Sequence, residues 1–276
     1  MNRRTFLQRA ALGMVGAYVG SFFKGTGFAA AQEKPSKLKI GVIGAMKSEV
    51  EDLLAAMRIK RRVKKAGMEF CEGTLGGREA VVVQCGMGKV NAGICAQLLI
   101  ANFAVTHVIN TGAAGSLNAA LNIGDIVVSV DASQHDFDVA AIGFRKGEIP
   151  YTGKVFFEAD SELRQRAMQA IREALPGIAA VEGRICSGDQ FISAQEEKER
   201  IVSEFSGDCA EMEGASVAQV CYLNGVPFVI LRAISDKADN SGHMDFKEFE
   251  EKAAKNSSRL VRFMLEHWQD FHVPVK

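Results

Sequence analysis

The stretch Val226-Pro-Phe-Val-Ile-Leu-Arg-Ala-Ile-Ser-Asp-Lys-Ala-Asp239 decides how the chain folds. Residues 228–234 form a short, mostly apolar run behind a proline, the pattern of a strand buried on both faces of a parallel sheet. Arg232 lies inside this run, and a buried charge is costly unless it is paired. The run stops at Ser235-Asp236. Open α/β sheets bind ligands just beyond the carboxyl ends of their strands. Arg232, Ser235 and Asp236 therefore stand where chemistry is usually placed. A second reading is open at this point: an Arg–Asp pair that only holds the sheet together.

Upstream, residues 38–45 repeat the buried-strand pattern and run into Gly44-Ala-Met46. Residues 47–57 space Val50, Leu53, Leu54 and Met57 along one helical face. Glu49 falls in the first turn of that helix, where the dipole favours a carboxylate. Residues 68–75 and 79–85 read as two strands around Gly76-Gly77. Cys85-Gly-Met-Gly-Lys-Val-Asn91 then opens a helix over 92–102. Such a turn offers backbone N–H groups to an oxygen-rich ligand, although its spacing is not that of a P-loop.

Residues 106–110 predict another strand, followed by the small-residue loop Thr111-Gly-Ala-Ala-Gly115, which a ligand could approach closely. A strand over 125–130 comes next. Residues 131–153 show little periodicity and read as a solvated loop. His135, Asp136 and Asp138 within it lack the spacing of a metal site. Helices are expected over 159–174 and 194–205, the second a charged surface helix. Residues 183–186 form a strand ending in Ser187-Gly-Asp-Gln-Phe-Ile192. Cys209-Ala-Glu-Met-Glu-Gly-Ala215 leads into a helix ending at 223, and an amphipathic helix covers 245–268. This alternation predicts an α/β single domain with a mixed, mainly parallel central sheet flanked by helices.

The 276 residues carry 33 basic and 33 acidic side chains. Four of the basic ones (Arg3, Arg4, Arg9, Lys24) and no acid lie in residues 1–31, so the remainder carries a formal −4. A mildly acidic chain argues against a nucleic-acid partner. Asn2-Arg-Arg-Thr-Phe-Leu-Gln8 resembles a twin-arginine export motif, and the apolar stretch 10–23 follows it. That stretch is short and Gly-rich for a membrane span, and Ala29-Ala30-Ala31 fits a small-residue cleavage site. The expected organisation is an export signal over 1–31, a linker over 32–37, one domain over 38–269 and a tail over 270–276. Residence in the periplasm follows, with no stable membrane insertion once the signal is removed. Six cysteines, none in a C-x-x-C pair, sit mostly among small apolar residues and predict no obligatory disulfide.

Five motifs in order carry a resemblance: Gly44-Ala-Met-Lys-Ser-Glu49, Cys85-Gly-Met-Gly-Lys-Val90, Ser187-Gly-Asp-Gln-Phe-Ile192, Glu211-Met-Glu213 and Arg232-Ala-Ile-Ser-Asp236. The chain, from about residue 38 to about 265, resembles the 5′-methylthioadenosine/S-adenosylhomocysteine nucleosidase family of the purine nucleoside phosphorylase-like superfamily. The resemblance implies hydrolysis of the adenine N9–ribose C1′ bond through an oxocarbenium-like transition state. It assigns Asp236 as the acid that protonates N7, Glu49 as the group that orients and deprotonates water, and Arg232 as a residue that fixes the site. Glu213 would hold the ribose hydroxyls and Met212 the sugar. Phe191 would stack on adenine while the Ile192 backbone reads its edge. Ala45, Cys85, Gly86 and Ser235 complete the implied substrate contacts, and Phe246 is a candidate wall for the 5′-thioether.

The resemblance implies neither a cofactor nor a metal. It does imply a homodimer, for which residues 131–153 are the candidate loop closing the partner's pocket. Cys85 departs from the family pattern, where serine is common and donates a stronger hydrogen bond. Two other functions compete. A nucleoside phosphorylase on the same fold would need a cationic phosphate site where Glu49 is expected. An exported nucleoside-binding protein would have no use for Glu49 and Asp236 together.

Overall fold

The computed structural model describes residues 37–237 and 242–271, without the side chains of 242–248. The expected export signal, nearly all of the linker and most of the tail lie outside the described residues. Among the described residues no helix is long and apolar enough to cross a membrane.

The quoted stretch forms strand β10 (Phe228–Asp236), all nine residues of which are buried. Its side chains alternate as a strand covered on both faces must. Phe228, Ile230 and Ile234 join one apolar cluster, and Val229, Leu231 and Ala233 join another. The first cluster packs against α2 (Lys89–Phe103) and α5 (Gly214–Asn224) through Cys95, Leu99, Val217 and Cys221. The second packs against α1 (Lys47–Ala56), α3 (Ser161–Ala174) and α6 (Gly242–Glu266) through Leu53, Leu163, Ile171, Leu260 and Met264.

Strand β10 is flanked by β5 (His107–Ser116), to which it is parallel, and by β6 (Ile126–Gln134), to which it is antiparallel. β6 pairs in parallel with β8 (Ala180–Ser187), and β8 in parallel with β9 (Cys209–Glu211). β9 returns to β5, closing a five-stranded barrel. From β5 the sheet continues outward in parallel through β1 (Lys39–Gly44) to β4 (Arg78–Gln84). It ends in the antiparallel strands β3 (Met68–Leu75) and β2 (Arg58–Lys65). The two-residue β7 (Phe157–Glu158) pairs with β6, and α4 (Gln195–Phe205) covers a third apolar cluster that includes Ile201 and Phe205.

Three expectations are corrected. The small-residue segment Thr111–Gly115 is not a loop but the second half of β5. Its glycines are tolerated there because other groups press on the strand. A Cβ on Gly115 would lie 2.7 Å from Asp236 Oδ2, and one on Gly112 would collide with Glu49 Oε1. Likewise residues 131–134 extend β6, where Asp131 takes a bidentate pair from Arg184 of β8 at 2.6 and 2.9 Å. His135 is buried rather than solvated, packed against Gly188.

Candidate active site

The carboxyl ends of β1, β4, β5, β8 and β10 converge, as the strand-end rule requires. At the end of β1, Glu49 reaches back from the first turn of α1. Its Oε2 accepts the N–H groups of Ala45 (2.6 Å) and Met46 (3.0 Å), and its Oε1 accepts that of Ala113 on β5 (3.1 Å). The side chain is 3% exposed. Burial raises its pKa, against the opposing pull of Arg232 and the three N–H donors. Ser258 on α6 donates to the Glu49 carbonyl at 3.0 Å, which ties the first turn of α1 to the rest of the domain.

The next residue of β5 serves the opposite strand. Ser235 Oγ lies 3.3 Å from the Ala114 carbonyl and 2.9 Å from Asp236 Oδ1. Asp236 is buried, and the Lys198 ammonium approaches its Oδ2 at 3.8 Å. Lys198 is itself 2% exposed and donates to the Lys237 carbonyl at 2.6 Å. Sequence reasoning assigned α4 to the surface and so missed this buried cation. The signal was faint: one lysine at the helical spacing of Ile201 and Phe205, three and seven residues on.

Arg232 is a buried partner of Glu211, not of Asp236. Its Nε donates to Glu211 Oε2 at 3.1 Å, and Nη2 bonds the same oxygen and also Asn110 Oδ1 at 2.6 Å. Burial works against the guanidinium charge, but Glu211, Glu213 and Glu49 outweigh it. Glu211 is further held by the Ser187 hydroxyl and by the N–H groups of Glu213 (3.1 Å) and Gly214 (2.8 Å). Arg232→Met strands that carboxylate, so we expect a loss of roughly 3–5 kcal/mol in unfolding free energy. Urea unfolding checks this. A loss below about 1 kcal/mol, the range of an exposed pair, would mean that the pair does not hold the site.

Glu213 lies beyond β9, with Oε1 accepting the Gly88 N–H at 2.8 Å. Burial, with the Glu211 charge next, pushes its pKa up to about 7. The Gly-rich turn before α2 therefore spends its N–H groups on protein carboxylates. Gly88 serves Glu213, and Lys89 serves Asp189 at 2.8 Å. Positive φ at Gly86 (83°) and Gly88 (97°) makes that geometry accessible. Asp136, the first carboxylate of the His135, Asp136 and Asp138 group, completes the brace, since it accepts from Lys89 Nζ (2.5 Å) and from the Asp189 N–H (2.8 Å). Among the described residues no group of three metal-ligating side chains forms.

Of the remaining expected contacts, Ala45 and Cys85 are buried, and Gly86 and Met212 are half-buried. The Gly86 N–H donates to the Ala45 carbonyl at 3.0 Å, and the Cys85 thiol points at the Gly86 carbonyl at 3.0 Å. Burial, Glu213 and Glu49 push that thiol up to about 12, so it stays protonated. Phe191 is 46% exposed at the rim, while Ile192 packs into the apolar cluster with Ile201 and Phe205. The side chain of Phe246 lies outside the described residues. The site thus offers buried carboxylates from two sides of β5 and one arginine already committed to a carboxylate. That arrangement suits water and an electron-poor sugar better than an anion.

Comparison with known proteins agrees with this chemistry. Residues 39–266 match the family described as the phosphorylase superfamily. A 5′-methylthioadenosine/S-adenosylhomocysteine nucleosidase of Glaesserella parasuis is 43% identical over 232 residues, 84% of this chain and 100% of the relative. The solved nucleosidase of Neisseria meningitidis, in complex with methylthio-immucillin-A, superposes with a TM-score of 0.79 at 38% identity, covering 83% of this chain and 98% of that one. A futalosine hydrolase of Helicobacter pylori superposes with the same TM-score at 37% identity over 83% and 98%. The fold is that of the phosphorylase superfamily. Within it, the chain belongs to the 5′-methylthioadenosine/S-adenosylhomocysteine nucleosidase family.

Proposed function

We propose that the protein hydrolyses the N-glycosidic bond of 5′-methylthioadenosine, S-adenosylhomocysteine or a related 5′-substituted adenosine. The observation that carries this is Glu49, a buried carboxylate pinned by three backbone N–H groups where a phosphorylase would need a cationic anion site. The C1′–N9 bond breaks as Asp236 gives its proton to N7, and adenine leaves neutral. A water oxygen bonds to C1′ and passes its proton to Glu49. Arg232 acts as a positioning residue, through Glu211 and the charge it lends to Glu49 and Glu213. Met212, Phe191, Ile192, Ala45, Cys85, Gly86 and Ser235 surround the nucleoside.

Glu213 holds the ribose hydroxyls as a two-oxygen acceptor, which it can do only when ionised. With its pKa at about 7, KM is expected to rise as pH falls below that value. Glu213→Gln should flatten this dependence. A KM profile unchanged by the substitution would remove Glu213 from the sugar site.

The futalosine hydrolase neighbour, as similar as the nucleosidases, supports a second substrate reading, futalosine. Base release from methylthioadenosine, adenosylhomocysteine and futalosine, each with and without phosphate, separates the cases. Phosphate-independent release supports hydrolysis, and the best substrate fixes the 5′ group. Release only with phosphate would make the protein a phosphorylase, and no release with tight binding would make it a nucleoside-binding protein.

Two features of setting belong to the same proposal. The twin-arginine-like motif and Ala29-Ala30-Ala31 support export to the periplasm with cleavage after Ala31. Exposed Ile142 and Tyr151, in the long segment after β6, support a homodimer in which this segment meets a partner. A monomer by light scattering at assay concentration would exclude it.

A further inference from the structure

Lys89, the first residue of α2, is given no part in the chemistry above, yet each of its polar groups goes to a different segment around the site. Its N–H donates to Asp189 Oδ1 at 2.8 Å, in the turn that leads to Phe191 and Ile192. Its carbonyl accepts the Ser216 hydroxyl of α5 at 2.7 Å. Its ammonium donates to Gln134 Oε1 (3.1 Å) and Asp136 Oδ1 (2.5 Å), at and just beyond the end of β6. The residue before it, Gly88, serves Glu213, the proposed ribose acceptor. A Cβ on Gly88 would lie only 3.1 Å from Asp189 Oδ1, so the ribose and base segments already touch here.

Asp136 meets the base segment as a charge. Its Oδ2 accepts the Asp189 N–H at 2.8 Å, which brings two carboxylates, Asp136 and Asp189, to one turn. Burial works to raise the Asp136 pKa, but the bonds from Lys89 and from the Asp189 N–H outweigh it and hold the carboxyl below its usual range. Lys89 is the one cation paired with Asp136 among the described residues. His135 supplies no second one. It is buried against Gly188, neither ring nitrogen has a hydrogen-bond partner among the described residues, and burial lowers its pKa.

We infer that Lys89 is a positioning residue for the purine: by neutralising Asp136 it keeps segment 188–192 seated against the ribose acceptor, so that Phe191 and Ile192 meet the base while Glu213 meets the sugar. On the nucleosidase reading the base lies at 191 and 192, and this role for Lys89 rests on that reading. A plain tie between α2 and the end of β6 would need only the ion pair. The second oxygen of Asp136 is spent instead on the base segment. Without the ammonium, the Asp136 charge stands uncompensated beside Asp189. Residues 188–194 carry neither helix nor strand, so they are the part that gives way. The side chains of the pair are 15% and 18% exposed, between a surface pair and a buried one. The effects of those two classes bracket a loss of roughly tenfold in base affinity.

The test is Lys89→Met, with adenine affinity measured by calorimetry and KM and kcat measured on the best substrate of the wild type. Adenine Kd and KM should rise together by roughly tenfold. The loss in kcat should be the smaller, because the seat holds the base alike before and during bond breaking. Lys89→Met/Asp136→Asn should recover part of the affinity. Asparagine keeps an acceptor for the Asp189 N–H and removes the stranded charge, whereas a merely structural lysine would leave the double variant no better than the single one. Lys89→Gln, which keeps a donor without the charge, gives the same reading if the methionine variant does not fold. Failure of both to fold would assign Lys89 to the fold and overturn the inference. Unchanged adenine affinity in the variant, a loss confined to kcat, or a double variant as weak as the single one would also overturn it, with the nucleosidase reading left standing. A wild type that neither binds nor releases adenine would instead remove that reading, and the role of Lys89 with it.

Discussion

Asp236→Asn should bind nucleoside as the wild type does and lose at least ~10²-fold in turnover, the low end for general acid catalysis. Adenine leaves slowly as an anion, so a proton must reach N7 as the C1′–N9 bond stretches. Asp236 is buried at the end of β10, with Ser235 Oγ at 2.9 Å from one oxygen, so the carboxyl is held rather than free to turn. Asparagine keeps the shape and one acceptor but has no proton to give. A ribosyl substrate with a nitrophenolate leaving group needs no such proton, and its hydrolysis should survive the substitution. Equal loss on both substrates would mean that the asparagine disturbs the site rather than removes an acid.

The buried strands were legible because their residues are apolar on both faces. β3 has its expected limits, and β1, β4, β10 and α1 lie within a residue or two of theirs. What could not be read was closure. Strands β5 and β6 run on through Thr111–Ser116 and Asp131–Gln134, where glycines and polar residues erase the apolar signal. Several of those polar residues find partners far away in sequence, as Asp131 does in Arg184 and Thr111 in Ser257. β2 was missed for the opposite reason, since an edge strand with six cations has almost no apolar face to announce it.

The same divide runs through the site. Arg232 was legible as an anomaly, a charge in an apolar run, but its partner was not. Glu211 lies 21 residues away in sequence and meets it only because β9 closes the barrel beside β5. Lys198 was nearly illegible because seven of the other ten positions of α4 carry charge or polarity, and one buried lysine among them leaves only a faint sequence signature. Motif resemblance supplied what periodicity could not, namely the proposed assignment of water to Glu49 and of the base to Asp236.

Glu49→Gln should abolish hydrolysis while the domain stays folded. The carboxylate meets three N–H groups and donates to none. Its burial raises its pKa, so the group stands closer to the proton affinity that a base needs at neutral pH. Glutamine cannot take a proton from water. It also presents an NH2 where one of the three backbone donors expects an acceptor, at a cost of about 1–3 kcal/mol. That cost lowers stability without unfolding a domain whose core lies elsewhere, so thermal unfolding should show one cooperative transition at a reduced midpoint. Gly112 makes a second test of the same carboxylate from the other side. A Cβ at that position collides with Glu49 Oε1, so Gly112→Ala should reproduce the loss with the carboxylate chemically intact but displaced. If Glu49→Gln keeps turnover, water is activated elsewhere. If Glu49→Gln is dead and Gly112→Ala is fully active, the carboxylate is needed for its charge and not for its position, and the three-donor clamp has no catalytic meaning.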